Sequence, residues 1–334
     1  MKAKISVVVP TYNRRPLLEK CLDALLDQSI SQDKYEVIVI DDSSSDDTQK
    51  HMEERTQQTI NLIYMRHSVN QGRVSTRNDG IRAAQGDIVI FLDNDNVPSR
   101  NFVEAHQRYH EKYSGEHIAV VGNVRFATEL IAGSNFGRYM QSRYLGYRKH
   151  KELKKLDLSN LPPQYFGGLN SSVRKEDLFA VGLFDTRFRY YGGEDETMGY
   201  CLKKIGVRIV FNKEAESLHY DIVSISRYKT KYEEVGREGM PKMIADYPEY
   251  LRTLRAKWLW PINYSQDKLS LILGKMIYRG LLNLAVLNSF QKWAVTTDRY
   301  SWAYCPIVYR LLLGGWLLQG LKSKEHEVGM VTYT

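Results

Sequence analysis

The chain has 334 residues, 26% charged and 11% aromatic, a composition that fits a folded protein and excludes a disordered one. Its net charge of +8 favours anionic partners, among them nucleotide phosphates, an acidic membrane surface or nucleic acid. Cys21, Cys201 and Cys305 are too scattered for a disulfide framework or a thiolate metal site, and no apolar stretch reads as a leader or a bilayer span, so a cytoplasmic protein is expected.

Residues 5–9 are an apolar, largely β-branched run that stops at Pro10 and predicts a buried strand. Residues 15–28 carry Leu17, Leu18, Cys21, Leu22, Leu25 and Leu26 at helical spacing, with Pro16 in the first turn. A second strand, 35–40, ends in the polar block from Asp41 to Thr48, and a third is expected at 62–66. Residues 72–84 predict a helix, 87–92 a strand, 102–113 a helix and 118–122 a strand. Such alternation over the first 120 residues points to a mostly parallel, doubly wound α/β sheet, in which ligands bind at the carboxyl ends of strands. Those ends are residues 10–14, 41–45 and 93–96, so three polar clusters are expected on one rim.

Residues 138–155 are basic with interleaved tyrosines, and read equally as an active-site loop or a solvated helix. Residues 165–172 predict a turn into a strand, 175–181 a helix, 192–204 a helix opened by Gly192-Gly193-Glu194-Asp195, and 207–211 a strand. Beyond about residue 227 the pattern turns helical. The apolar stretches 269–287 and 307–321 either pack on the rest of the protein or lie in a membrane interface, with Lys268, Lys275, Arg279 and Asn283 on one helical face. The expected division is a catalytic domain over 1–225 (1–120 binding nucleotide, 121–225 binding acceptor) and a helical region over 226–334.

Several residue types carry chemistry at these positions. A nucleotide base needs an aromatic face and an edge partner, and Thr11, Tyr12, Asp41 and Asp42 offer both, a carboxylate being able to accept from a uracil N–H. Asp93 and Asp95, one residue apart at a strand end, are hard oxygen donors for a divalent cation beside a diphosphate. A carboxylate such as Glu194 or Asp195 at a helix start can take a proton from an attacking hydroxyl. The helix terminus favours its charged form and burial opposes it. His219 is a further candidate ligand, better suited to Mn²⁺ than to Mg²⁺.

Pro10-Thr11-Tyr12-Asn13-Arg14, Asp41-Asp42-Ser43, Asn70-Gln71-Gly72 with Arg77-Asn78, Asp93-Asn94-Asp95, Phe184-Asp185 and Gly193-Glu194-Asp195 occur in this order. Over residues 4–221 the chain thereby resembles the family 2 glycosyltransferases, of GT-A fold. That resemblance implies an inverting, metal-dependent transferase using Mn²⁺ or Mg²⁺. It would move a sugar from a nucleoside-diphosphate donor, with UDP expected, to a glycan or lipid-linked acceptor in polysaccharide synthesis. It implies nucleotide contacts at Pro10, Thr11, Tyr12, Asn13, Arg14, Asp41, Asp42, Gly72, Arg77, Asp93 and Asn94, with Asp42 on uracil and Arg77 beside the diphosphate. Asp95 is the implied metal ligand, Asp93 serves ribose or a metal-bound water, and His219 completes the metal site. Asp195 is the implied base and Glu194 orients the acceptor, while Gly168, Asn170 and Gly193, with Phe166, line the sugars. Asn96 stands where the family often has a third acidic residue. A Gln-x-x-Arg-Trp element is not evident, so a processive synthase is not expected. The competing reading is a non-catalytic nucleotide-sugar or nucleic-acid binder. Nucleic acid is not an expected partner, and peripheral contact with the inner membrane face is an open expectation.

Overall fold

The computed structural model describes residues 5–147, 155–248 and 258–327. Within the basic stretch expected at 138–155, residues 148–154 lie outside the described residues. The chain divides into two units. One comprises residues 1–127, 141–189 and 194–221, and the other residues 128–140, 190–193 and 222–334.

The first unit is built on an eight-stranded sheet in the order β3-β2-β1-β4-β7-β6-β8-β5. The strands are β1 Ile5–Thr11, β2 Tyr35–Asp41, β3 Leu62–Arg66, β4 Ile88–Leu92, β5 Asn96–Pro98, β6 Ile118–Phe126, β7 Asn170–Arg174 and β8 Arg208–His219. The expected parallel half is β3-β2-β1-β4. Beyond it β7 runs antiparallel to both β4 and β6, β8 is parallel to β6, and β5 is antiparallel to β8. This is a mixed sheet of the expected α/β class, with its crossovers in the first half.

Strand alternation positions the core. Ile5, Val7 and Val9 of β1 point to one face, where they meet Val37, Val39, Ile90 and Leu92 and the stripe Leu18, Cys21, Leu22 and Leu25 of helix Arg15–Leu26. Each such buried side chain contributes about 1.5–3 kcal/mol of transfer free energy. At the amino end of the strands, Ser6 donates to Glu36 at 2.6 Å, which also accepts from the Gln85 N–H at 2.6 Å. Two buried polar groups are thereby paired, as burial requires.

Four elements differ from the sequence expectation. The 93–96 cluster is not all loop, because Asn96–Pro98 forms a short strand that pairs with the end of β8, Asn96 opposite His219. β6 and β8 run well past the expected 118–122 and 207–211. The apolar stretch 269–287 is broken into helices Leu269–Leu281 and Leu284–Thr297, bent by 54°.

The second unit is helical. Helix Pro306–Glu327 lies against helix Ile225–Glu234 and the π-turn Val235–Gly239. Gly236 and Gly320 sit at that crossing, where an added Cβ would come within 2.1 Å of the Leu317 carbonyl oxygen and 2.0 Å of the Glu233 carbonyl oxygen. Tyr309, Leu312, Trp316 and Leu321 are buried, with Phe136 edge-on to both Tyr228 and Tyr309. The 307–321 stretch is therefore a packed core helix. Among the described residues no single helix is long and apolar enough to cross a membrane.

Candidate active site

The carboxyl ends of β1, β2 and β4 form one polar rim. Asp42 donates its N–H to the Thr11 carbonyl at 2.9 Å, and Asn13 donates its N–H to the Ser44 hydroxyl at 2.9 Å. The Asn94 amide donates to the Thr11 hydroxyl at 2.8 Å, and Arg14 pairs with Asp95 at 2.7 Å. Asn13 and Ser43 adopt positive φ, 50° and 67°, backbone that only an over-determined loop sustains. Pro10 is buried within β1, while Tyr12 is 47% exposed and presents its ring at the rim.

The two β2 aspartates act mainly inward. Asp41, expected to contact the nucleotide, is fully buried and accepts from the Ser44 N–H at 2.8 Å and the Tyr64 hydroxyl at 2.7 Å. Asp42 accepts from His67 at 2.8 Å, the Gln71 N–H at 2.7 Å and the Gly72 N–H at 2.8 Å. A carboxylate has about four lone-pair sites, which leaves one on Asp42 Oδ2 for a further donor. Gly72, at φ 88°, holds the entry to helix Arg73–Ala83 in a conformation that L side chains rarely adopt. His67, whose other nitrogen lies 3.0 Å from Asp79, was not evident in the sequence.

Arg77 is the hub. Its guanidinium is 1% exposed, 2.7 Å from Asp93 and 3.0 Å from Asp195, with Glu194 at 3.8 Å. The desolvation that burial imposes is outweighed by these carboxylates, which hold it firmly protonated. Gly168 makes room for it, since a Cβ there would lie 2.5 Å from the guanidinium carbon. Arg77, expected beside the diphosphate, therefore joins the acidic cluster after β4 to the start of helix Glu194–Lys204. Gly168, expected at the sugars, lies directly against this guanidinium. Asn78 brackets Phe184 by donating to its carbonyl at 2.8 Å and accepting from its N–H at 3.0 Å, so the Phe184-Asp185 motif is a clamp for this helix.

Glu194 is 3% exposed and pairs with Arg73, and its Oε2 is buried with no partner among the described residues. Asp195 is about one-fifth exposed. Loss of solvent pushes its carboxyl up to about 6, against the pull of Arg77 and with the help of Glu194. A carboxylate so tuned is a competent base near neutral pH.

His219 ends β8 with Nε2 3.4 Å from Asp95. Its Nδ1 lies 3.1 Å from the Tyr144 hydroxyl and its ring stacks on Phe126 at 5.3 Å. An imidazole oriented through one nitrogen, with the other facing a carboxylate, suits metal ligation. Asp95 and His219 thus come together as expected, whereas Asp93 is drawn to Arg77. Tyr144, from the basic aromatic stretch, was missed in that role.

Two expected sugar contacts are buried. Asn170 is 1% exposed and donates to the Ala215 carbonyl and the Ser217 hydroxyl, with His106 at 3.1 Å. Phe166 is 2% exposed. Gly193, at φ 99°, immediately precedes the Glu194 helix and belongs to the 190–193 segment of the second unit. At the opposite, amino end of β4 lie a cavity of about 880 Å³, bordered by Ile88, His110 and Arg174, and the cluster His117, Glu176 and Asp177. Neither shares residues with the rim.

The family model described as glycosyl transferase family 2 matches residues 6–175. The chain is 31% identical over 227 residues to the chondroitin synthase of Escherichia coli, a match covering 60% of this chain and 32% of that protein. It is also 31% identical over 193 residues to the GalNAc(5)-diNAcBac-PP-undecaprenol beta-1,3-glucosyltransferase of Campylobacter jejuni, covering 57% of each. The chain thus spans from a third to somewhat over half of these relatives' lengths. Among solved structures, the mannosyltransferase PcManGT of Pyrobaculum calidifontis, in complex with GDP-Man and Mn²⁺, superposes with a TM-score of 0.63 at 17% identity. That superposition covers 98% of this chain and 88% of the other, a likeness of fold.

Proposed function

The chain belongs to glycosyl transferase family 2, and from that premise we propose that it transfers a sugar, with inversion, from a nucleoside-diphosphate donor to a hydroxyl of a glycan or lipid-linked acceptor. UDP is the expected nucleotide. The observation that supports this reading most is the shared guanidinium of Arg77, which keeps Asp93 and Asp195 within reach of one reacting centre.

In this reading Tyr12 offers a face to the base and the remaining lone pair of Asp42 takes a ring N–H. Asp195 accepts the proton of the acceptor hydroxyl as that oxygen bonds to the anomeric carbon from the face opposite the diphosphate. The bond from that carbon to the diphosphate oxygen breaks, and the electron pair leaves with the nucleotide. The buried, unpartnered Oε2 of Glu194 is an acceptor available to a neighbouring sugar hydroxyl. Asp95 and His219 would hold Mn²⁺ or Mg²⁺, while Asp93 stays paired with Arg77. When bound, the cation neutralises charge developing on the diphosphate. The pyrophosphate linkage named in the Campylobacter relative's acceptor is consistent with a lipid-linked substrate here.

The test is a panel of nucleotide-sugars, with and without Mn²⁺, read by released nucleotide. Wild type is expected to release UDP from at least one donor only when metal is present, and Asp195→Asn to bind UDP as wild type does while losing turnover by at least about a hundredfold. Near-normal turnover in that variant would remove Asp195 as the base. Release independent of metal would remove the cation.

A further inference from the structure

Helix Leu269–Leu281 is packed inside out. Leu269, Leu273, Met276, Ile277 and Leu281 fall on one stripe at helical spacing and are 51–71% exposed, and Leu284, 60% exposed, follows at the bend. The lysine of the helix, Lys275, is instead 3% exposed and turned inward, where it pairs with Asp267 at 2.5 Å and donates to the Pro261 carbonyl at 2.8 Å. The sequence had grouped Lys275 and Arg279 as a polar face. The structure uses that face for packing and gives the apolar face to solvent. A contiguous exposed stripe of this kind marks an interaction surface.

The surroundings say what covers it. Between residues 258 and 310 the carboxylates are Asp267, paired with Lys275, and Asp298, which accepts from the Phe136 N–H at 2.8 Å. Lys268, Lys292, Arg299 and Arg310 in the same span are all exposed. Tyr300 and Trp302, stacked on each other, are 55% and 79% exposed, and such amphipathic rings settle at headgroup level. The second unit carries seventeen Lys and Arg against ten Asp and Glu, so +7 of the chain's +8 resides there. A two-fold contact between copies would set this patch against itself and bring like charges together. An anionic lipid surface would neutralise them while burying the stripe.

We propose that the stripe formed by Leu269, Leu273, Met276, Ile277 and Leu281 docks the protein on an anionic lipid surface, seating the helix in the interface plane with the exposed lysines and arginines on the headgroups. The experiment is flotation of the purified full chain with phosphatidylcholine vesicles, with and without phosphatidylglycerol, paired with light scattering in the absence of lipid. Wild type is expected to float with the anionic vesicles and to be released by high salt. Leu273→Asp with Ile277→Asp should lose at least about tenfold in partition at an unchanged melting temperature. If the aspartates unfold the helix, Leu273→Asn with Ile277→Asn serves instead. Wild type remaining unbound to anionic vesicles overturns the proposal. So does a wild-type dimer that either double variant dissociates, since the stripe would then be covered by a second copy.

Discussion

The shared guanidinium of Arg77 makes the carboxylates of the rim interdependent. The base role proposed for Asp195 requires its ionised form, and its carboxyl is pushed up to about 6, so the rate should fall as pH drops through about 6, well above the ordinary carboxylate range. Glu194→Gln removes a negative neighbour, so the acid limb should move to lower pH. A pH profile of turnover checks this, and an unmoved limb would detach Glu194 from the titration. Replacing Arg77 by Met leaves Asp93 and Asp195 without their shared cation, a change expected to cost about 3–5 kcal/mol of stability by denaturant titration. Arg14, about a third exposed, pairs with Oδ2 of Asp95 while Oδ1 faces His219, so its positive charge competes with a cation for that carboxylate. Arg14→Ala should therefore tighten Mn²⁺ binding in the absence of nucleotide by about two- to fivefold, measured by calorimetry. None of these pairings was legible in sequence. The motif residues stand out because their types are unusual at strand ends, but the direction in which Arg77 or Asp41 points depends on tertiary packing that no local pattern encodes.

At the scale of elements, β1, β2 and β4 were legible because each is a continuous apolar run ended by polar residues, and the rim followed from their parallel order. β5 was not, since Asn96–Pro98 is too short to carry a period and exists only because β8 continues past residue 211 to pair with it. That pairing sets His219 opposite Asn96, beside Asp95. The surroundings of Asn170 were not legible for a related reason. It belongs to a buried network with His106 and Ser217 beneath the sheet, where burial pushes His106 down to about 4 and keeps it neutral. The turn before β7 carries its own prediction. Gly168→Ala would drive a methyl against the Arg77 guanidinium. The variant is expected to lose about 1–3 kcal/mol of stability together with most of its turnover, and unchanged turnover would mean that Arg77 can move without consequence.

Across the whole molecule, the sequence division at residue 225 and the grouping of the folded chain differ chiefly in residues 128–140 and 190–193. Both segments are short and fall, in sequence, between strands of the first unit, so nothing in composition marks them as belonging elsewhere. Phe136 and Tyr139 are 1% and 4% exposed, with Tyr309 against both and Tyr228 against Phe136, and Asn135 donates to the Thr297 and Tyr300 carbonyls. A chain ending at 221 would keep the whole rim yet strip the cover from these residues. Each uncovered aromatic forfeits about 1.5–3 kcal/mol of burial, and unpaired backbone caps add to the loss. It would also leave Gly192 and Gly193 without the Val235–Gly239 turn that holds them, where a Cβ on Gly239 would come within 2.3 Å of the Gly192 carbonyl oxygen. Those glycines lead directly into Glu194 and Asp195. The truncated chain is therefore expected to aggregate, or to stay soluble with nucleotide binding retained and transfer lost, as read by calorimetry with UDP beside product formation. Full transfer by residues 1–221 would mean that the helical unit contributes nothing to the setting of the base.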